Sequence, residues 1–192
     1  MKFSKIEKLT TTAILTAIVF ILQFIGSFIR FGQFSISLVL VPIIIGVVVA
    51  GTGAGVWLGL AFGLAVLASG DAASYLAISP FGAVVTVLAK GMLAGLCAAL
   101  VFKLFSKRSP YIGALAAGAV CPIVNTGVFL LGCRLFFIDA IAQQASAMGQ
   151  SVVAYMLLVL VGGNFIFEIV LNIVLAPVVV RIINAVKKQQ NI

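Results

Sequence analysis

The chain has no histidine, and only four of its 192 residues are acidic. Without histidine it lacks the usual side chain for proton transfer near neutral pH. The four carboxylates, Glu7, Asp71, Asp139 and Glu168, form no close pair in sequence that would suggest acid–base hydrolysis. There is no G-x-x-x-x-G-K-[ST] phosphate loop, so no ATPase motif is encoded. The three cysteines, Cys97, Cys121 and Cys133, all sit inside apolar runs at spacings unsuited to zinc. They read as small buried hydrophobes, not as a disulfide or a metal site. These absences point away from an enzyme, and no cofactor or metal is expected.

What is abundant is apolar surface. Hydrophobic residues make up 64% of the chain and charged residues 8%, at a mean hydropathy of +1.33. Soluble domains are nearer half apolar and one quarter charged, and runs of about 20 apolar residues cross a bilayer. The composition predicts an all-α integral membrane protein, with residues 1–192 forming a single domain. The net charge of +8 does not indicate nucleic acid, because the cations gather at the edges of apolar segments. The start "MKFSKIEK" is basic, but the apolar run behind it is too long for a signal peptide and has no clear cleavage site. It reads as a mature transmembrane helix.

Six apolar segments can be drawn, at about 9–29, 38–49, 56–69, 83–105, 111–137 and 152–186. Polar or glycine-containing loops separate them, including 30–37, "AGTGAG" at 50–55, 70–82 and 138–151. With both ends inside the cell, Lys2, Lys5, Lys8, Lys103, Lys107, Arg108, Arg181, Lys187 and Lys188 share the cytoplasmic side, against Arg30 and Arg134 outside. Such a bias orients a membrane protein and predicts six transmembrane helices, N-in and C-in. Gly55, Gly59 and Gly63 fall on one helix face and predict close helix packing.

Lys90 and Glu168 remain within apolar segments, where charge is costly and marks function. Lys90 precedes Lys103 by 13 residues, and Glu168 precedes Arg181 by 13. At about 1.5 Å per residue both lie roughly 20 Å from the cytoplasmic edge. Asn125 and Asn164, each 17 residues from a cytoplasmic arginine, lie roughly 25 Å up on the same scale. One outward polar layer is therefore predicted, with Asn164 and Glu168 on one helix face. In "VCPIVNTGVFLLGCR" (120–134), Pro122 removes a backbone hydrogen bond and Gly127 loosens the helix. Irregular backbone of this kind lines cavities, so Asn125 and Thr126 are expected to face one. The alternatives are a simple proline bend with Asn125 bonded to a neighbouring helix, and a structural Lys90–Glu168 ion pair. Tyr75 and Phe81 in the 70–82 loop, and Phe34 in the first loop, either cap a ligand or belong to an aromatic belt.

The pair Ala13 and Ala17 in "TTAILTAIVFIL" (11–22), "SISLVLVP" (35–42) and "NFIFEIVLNIVLAP" (164–177), on a six-segment plan, is similar to the substrate-binding S component of energy-coupling factor (ECF) vitamin transporters. The resemblance covers nearly the whole chain. "PIVNTGVFLLG" (122–132) most resembles the pantothenate-specific branch, with folate and other vitamin branches nearby. "GTGAG" (51–55) stands where many members have a Gly-Pro turn. The resemblance implies a multi-pass protein of the bacterial cell membrane that binds a vitamin from outside. It implies docking, through Ala13 and Ala17, on a transmembrane coupling subunit driven by two cytoplasmic ATPases, and toppling in the membrane to release the cargo. ATP would be used by those partners, and the lipid bilayer is the remaining partner.

For a carboxylate vitamin, Lys90 is the one membrane-embedded cation, and Arg134 could attract the anion from the rim. Asn125, Asn164 and Thr126 suit hydroxyl and amide groups, and Glu168 accepts from a hydroxyl or holds Lys90. Two other readings are a stand-alone ion-coupled carrier that switches Lys90 and Glu168, and a scaffold whose polar groups only join helices. The charge asymmetry predicts that single cysteines at Ser74 and Gln144, in a background without native cysteines, react with an impermeant thiol reagent on intact cells. A cysteine at Ser106 should not, and its labelling from outside would reverse the orientation.

Overall fold

The computed structural model describes residues 4–28, 30–31, 34–35 and 39–190. Helix α1 (Lys5–Phe28) opens on a capping box: the Ser4 amide donates to Glu7 Oε2 at 2.7 Å, and the Glu7 amide donates to Ser4 Oγ at 3.2 Å. A two-residue antiparallel hairpin follows, β1 (Arg30–Phe31) against β2 (Phe34–Ser35). Helices α2 (Leu40–Ala50) and α3 (Thr52–Ala68) are separated by Gly51 alone. Its φ of 88° lies in a region that glycine adopts without steric cost, so the chain reverses in one residue. The third segment therefore starts before the expected residue 56. The small residues of "TGAG", which suggest a loop, form the first turn of α3.

The predicted 70–82 loop contains a short helix, α4 (Ala73–Ile78). Helix α5 (Pro80–Phe105) starts with Ser79, whose side chain accepts from the Gly82 amide at 3.2 Å, and with proline at a position that needs no amide donor. Helix α6 (Pro110–Phe136) also starts on proline. The predicted 138–151 loop holds the amphipathic α7 (Ile138–Ala147). The last rod is α8 (Val152–Ala154), a π-helical stretch (Tyr155–Gly162) and α9 (Gly163–Gln190).

The expectation of irregular backbone around Pro122 is corrected. Pro122 is buried inside an α6 that stays helical from Pro110 to Phe136. One missing N–H costs a helix a single bond, here the one to the Gly118 carbonyl, and contacts with α5 and α9 on its flanks hold α6 in place. The departure from α geometry falls instead at Tyr155–Gly162. Such wide turns occur often at functional sites.

Contacts fix the direction of each helix. Trp57 donates to Thr16 Oγ1 at 3.1 Å and Gln23 to Ser69 Oγ at 3.3 Å, so α1 and α3 run parallel. α3 and α5 run antiparallel along a glycine seam. A Cβ on Gly55 would lie 2.7 Å from the Gly95 carbonyl oxygen, and one on Gly63 would lie 3.0 Å from that of Val87. At Gly59 and Gly91 each Cβ would strike the other residue's carbonyl. α5 and α6 run antiparallel as well, with Gly82 against Phe136 and Gly132 against Thr86. Tyr155 joins Cys133 and Phe137 in one apolar cluster, while Asn172 meets Gly118, so the last rod runs antiparallel to α6. The main core lies between α1, α2, α3, α5 and α6, around Leu15, Val19, Ile43, Leu58 and Phe62.

Among the described residues four stretches are long and apolar enough to cross a bilayer: Lys5–Phe28, Pro80–Phe105, Pro110–Phe136 and Val152–Leu175. α2 and α3 are apolar but shorter, 11 and 17 residues. At 1.5 Å per residue they reach about 16 and 25 Å, against a hydrocarbon core of about 30 Å. Large apolar side chains face outward on α1, α5, α6 and α9, among them Ile14, Leu100, Leu131 and Val170. That is the surface a membrane protein presents to lipid.

The seam yields a prediction. Gly59→Ala must push α3 away from α5, and overpacking of this kind costs about 1–3 kcal/mol. A Cβ on Gly127 would meet nothing within 4 Å, and alanine favours a helix over glycine by about 1 kcal/mol. Thermal unfolding in detergent should show Gly59→Ala destabilised and Gly127→Ala unchanged or stabilised. Equal melting of the two would contradict a seam made by backbone contact.

Candidate functional site

Thr86 and Lys90 are one turn apart on α5, while Asn125, Phe129 and Cys133 repeat at the same spacing along α6. Residues four apart share a helix face, so two polar stripes meet where α5 and α6 pack. The α5–α6 contacts set Thr86 opposite Gly132 and Lys90 opposite Phe129. Lys90 Nζ lies 5.5 Å from the Phe129 ring centroid and 5.4 Å from that of Phe62 on α3. An ammonium held between two aromatic faces is attracted by both ring quadrupoles, most strongly where water is excluded. Glu168 and Asp71 are within electrostatic reach of the same amine.

Around this cation lie buried polar atoms. Thr86 and Asn125 are 4% and 6% exposed, and neither Thr86 Oγ1 nor Asn125 Oδ1 has a hydrogen-bond partner among the described residues. A buried polar atom left unsatisfied costs about 1–3 kcal/mol, so both positions favour a ligand that brings donors. On α9, Glu168 and Asn172 are each 1% exposed, and Asn172 Nδ2 donates to the Glu168 carbonyl at 2.7 Å. Asn172 Oδ1 also has no partner among the described residues.

Aromatics extend the site toward α4. The Tyr75 ring packs edge-on against Phe129, with centroids 5.6 Å apart, and against Phe137 at 5.0 Å. The Tyr75 hydroxyl and the Cys133 sulfur are neighbours. Burial, with Cys133 and Tyr155 nearby, holds the Tyr75 phenol above its ordinary range, so it stays neutral. Tyr155 is fully buried, and its hydroxyl donates to Gln144 Oε1 at 2.7 Å, which ties the last rod to α7. On the far side, Gln23 of α1, 4% exposed, donates to Asp71 Oδ2 at 2.5 Å. The turn between α3 and α4 is thereby fastened to α1.

The structure brings Lys90, Asn125 and Tyr75 around shared neighbours, chiefly Phe129. Thr126 is half-buried beside Asn125. Asn164 lies on α9 one turn before Glu168, but its side chain falls outside the described residues. The Phe34 side chain falls outside them too. Arg134 is not brought into the group. It sits on the exposed face of α6 with Leu131 and Leu135, while Cys133 and Phe137 point inward. The predicted common depth of Lys90 and Glu168 is corrected. Lys90 is level with Phe129, and Asn172 packs at Gly118, which places Glu168 near Pro122. Seven positions on α6 separate the two levels, about 10 Å at 1.5 Å per residue. Counting back from basic anchors failed because those anchors do not lie at one depth.

Sequence reasoning missed Phe62, Thr86, Phe129 and Asn172, as well as the Gln23–Asp71 tie. Three of these were within reach of a spacing argument. Thr86 is one turn before Lys90, Phe129 one turn after Asn125 and Asn172 one turn after Glu168. Phe62 and Asp71 come from other elements, and no local signal joins them to Lys90. Ala13 and Ala17 are both exposed, in a strip with Ile14 and Ile18 along α1.

A helical bundle with an apolar outer face and polar side chains sealed between its helices is an integral membrane protein. Residues 7–180 match the family model described as "ECF transporter, substrate-specific component", and the chain belongs to that family. Such components are vitamin-type substrate-binding subunits of transporters and not enzymes. No curated protein and no solved structure matches the chain.

Proposed function

We propose that the chain is a six-span S component of the bacterial cell membrane, with both ends cytoplasmic, and that it binds a small anionic vitamin, pantothenate before folate or others. The observation that carries this reading is the Lys90 ammonium between Phe62 and Phe129, one turn from a buried Thr86 hydroxyl. A carboxylate would meet the ammonium, and hydroxyl or amide N–H groups would donate to Thr86 Oγ1 and Asn125 Oδ1. Pantothenate has one carboxylate, two hydroxyls and one amide, which suits that set. Thr126, Asn164 and Glu168 would complete the polar wall, and Tyr75 would close it from α4. Arg134 could act only as a remote attractor of anions, since it projects from the outer face of α6.

The vitamin that co-purifies with the chain, identified by mass spectrometry, tests the ligand class directly. A hydrogen bond to a charged group is worth about 1.5–3 kcal/mol. Lys90→Met should therefore weaken binding by roughly 10- to 100-fold at 1.4 kcal/mol per decade. Asn125→Ala should weaken it by roughly 5- to 10-fold. Lys90→Met combined with Glu168→Gln separates a ligand contact from charge balance. Near-native affinity of the double variant in calorimetry would remove Lys90 from the carboxylate site.

Delivery would follow from docking on a transmembrane coupling subunit powered by two cytoplasmic ATPases. Ala13 and Ala17 make a flat, exposed strip one turn apart on α1, and small residues let a partner helix approach closely. Replacing both with Trp should abolish assembly and uptake and leave vitamin binding by the isolated chain intact. Uptake at the normal rate with an unchanged complex would move the docking surface elsewhere.

A further inference from the structure

At the end of the bundle that holds the start of α1 and the α2–α3 turn, a shallow groove of about 310 Å³ runs between α1 and α3. Lys5 and Lys8 stand on its α1 side. Leu9, Ala54 and Trp57 give it an apolar floor. Among the described residues no acidic side chain lines it. Glu7 is adjacent in sequence, but its carboxylate accepts from the Ser4 amide at the helix start. The Thr12 hydroxyl donates to the Lys8 carbonyl at 2.7 Å, and the Trp57 indole N–H donates to Thr16, so neither donor is spare. The groove thus offers two free-reaching ammonium groups beside an apolar slot.

We propose that this groove holds one anionic phospholipid, with its phosphate between Lys5 and Lys8 and an acyl chain along Leu9, Ala54 and Trp57. Basic pockets between membrane helices suit anionic headgroups, and lysine stems lie along apolar surface while the ammonium reaches the headgroup level. Charge argues for an anionic over a zwitterionic lipid, since the groove holds two cations and no facing acid among the described residues, and only a headgroup with net negative charge balances them. Lys103 in the last turn of α5 and Lys107 and Arg108 on the α5–α6 link lie at the same end of the bundle and keep anionic lipid enriched there.

Trp57 is the chain's only tryptophan and reports on the groove. The protein is reconstituted into bilayers with a small fraction of phosphatidylglycerol or phosphatidylcholine carrying brominated acyl chains, and Trp57 fluorescence is followed. Half-quenching is expected at a roughly 25-fold lower fraction of the anionic lipid. Lys5→Gln with Lys8→Gln should erase that preference, and Lys5→Arg with Lys8→Arg should keep it, with vitamin binding unchanged in both. Equal quenching by the two lipids in the native chain would overturn the proposal. So would a fluorescence response to inorganic phosphate in detergent that abolishes the lipid preference, because the site would then be for free phosphate. A Trp57 signal that ignores both headgroups and answers only to added coupling subunit would assign the groove to a protein contact instead.

Discussion

The backbones of α3 and α5 touch at Gly59 and Gly91, and the arrangement around Lys90 depends on that contact. Phe62 stands one residue before the seam position Gly63, and Lys90 one residue before Gly91. With any side chain at the seam the helices would part, and the Phe62 ring would move off the ammonium. In a bilayer there is little hydrophobic drive to bring two helices together, because lipid tails are as apolar as the helices. Close van der Waals contact must do it, and glycine provides the closest approach.

From that seam the packing propagates outward. α5 places Thr86 against Gly132 and Lys90 against Phe129, which sets α6 in register. α6 then receives α9 at Gly118, so the polar face with Glu168 and Asn172 turns inward. The missing amide of Pro122 frees the Gly118 carbonyl of its helical donor at the level where Asn172 packs. Polar groups are expensive in such an interior unless they are matched. Lys90 is matched in part by two aromatic faces, Gln23 by Asp71 and Ser69, and Tyr155 by Gln144. Thr86 Oγ1, Asn125 Oδ1 and Asn172 Oδ1 have no such match among the described residues.

The two ends of the bundle divide the work. One end carries α4, α7 and the start of the last rod, whose aromatic side chains Tyr75, Phe137 and Tyr155 pack over the inner polar groups. The other carries the basic residues and the α1–α3 groove. Between them, α1 shows lipid or a partner its small residues Ala13 and Ala17 and shows the core Leu15, Val19 and Gln23.

Sequence by itself determined the membrane class, the approximate limits of the apolar segments and the inward role of Lys90 and Asn125 as candidates. Those readings rest on composition, on the length needed to cross a bilayer and on the cost of burying charge, all of which are local quantities. It also marked Gly55, Gly59 and Gly63 as one face, because a helix repeats every 3.6 residues. Tertiary structure decided which face met which. Phe62 joins Lys90 only through the α3–α5 contact, and Asp71 meets Gln23 across 48 residues. It also moved Glu168 to the level of Pro122, since helix depth follows packing register and not the distance to a basic anchor. The π-helical turns at Tyr155–Gly162 could not be read from a 3.6-residue pattern, because a wider turn shifts the side chains off that repeat.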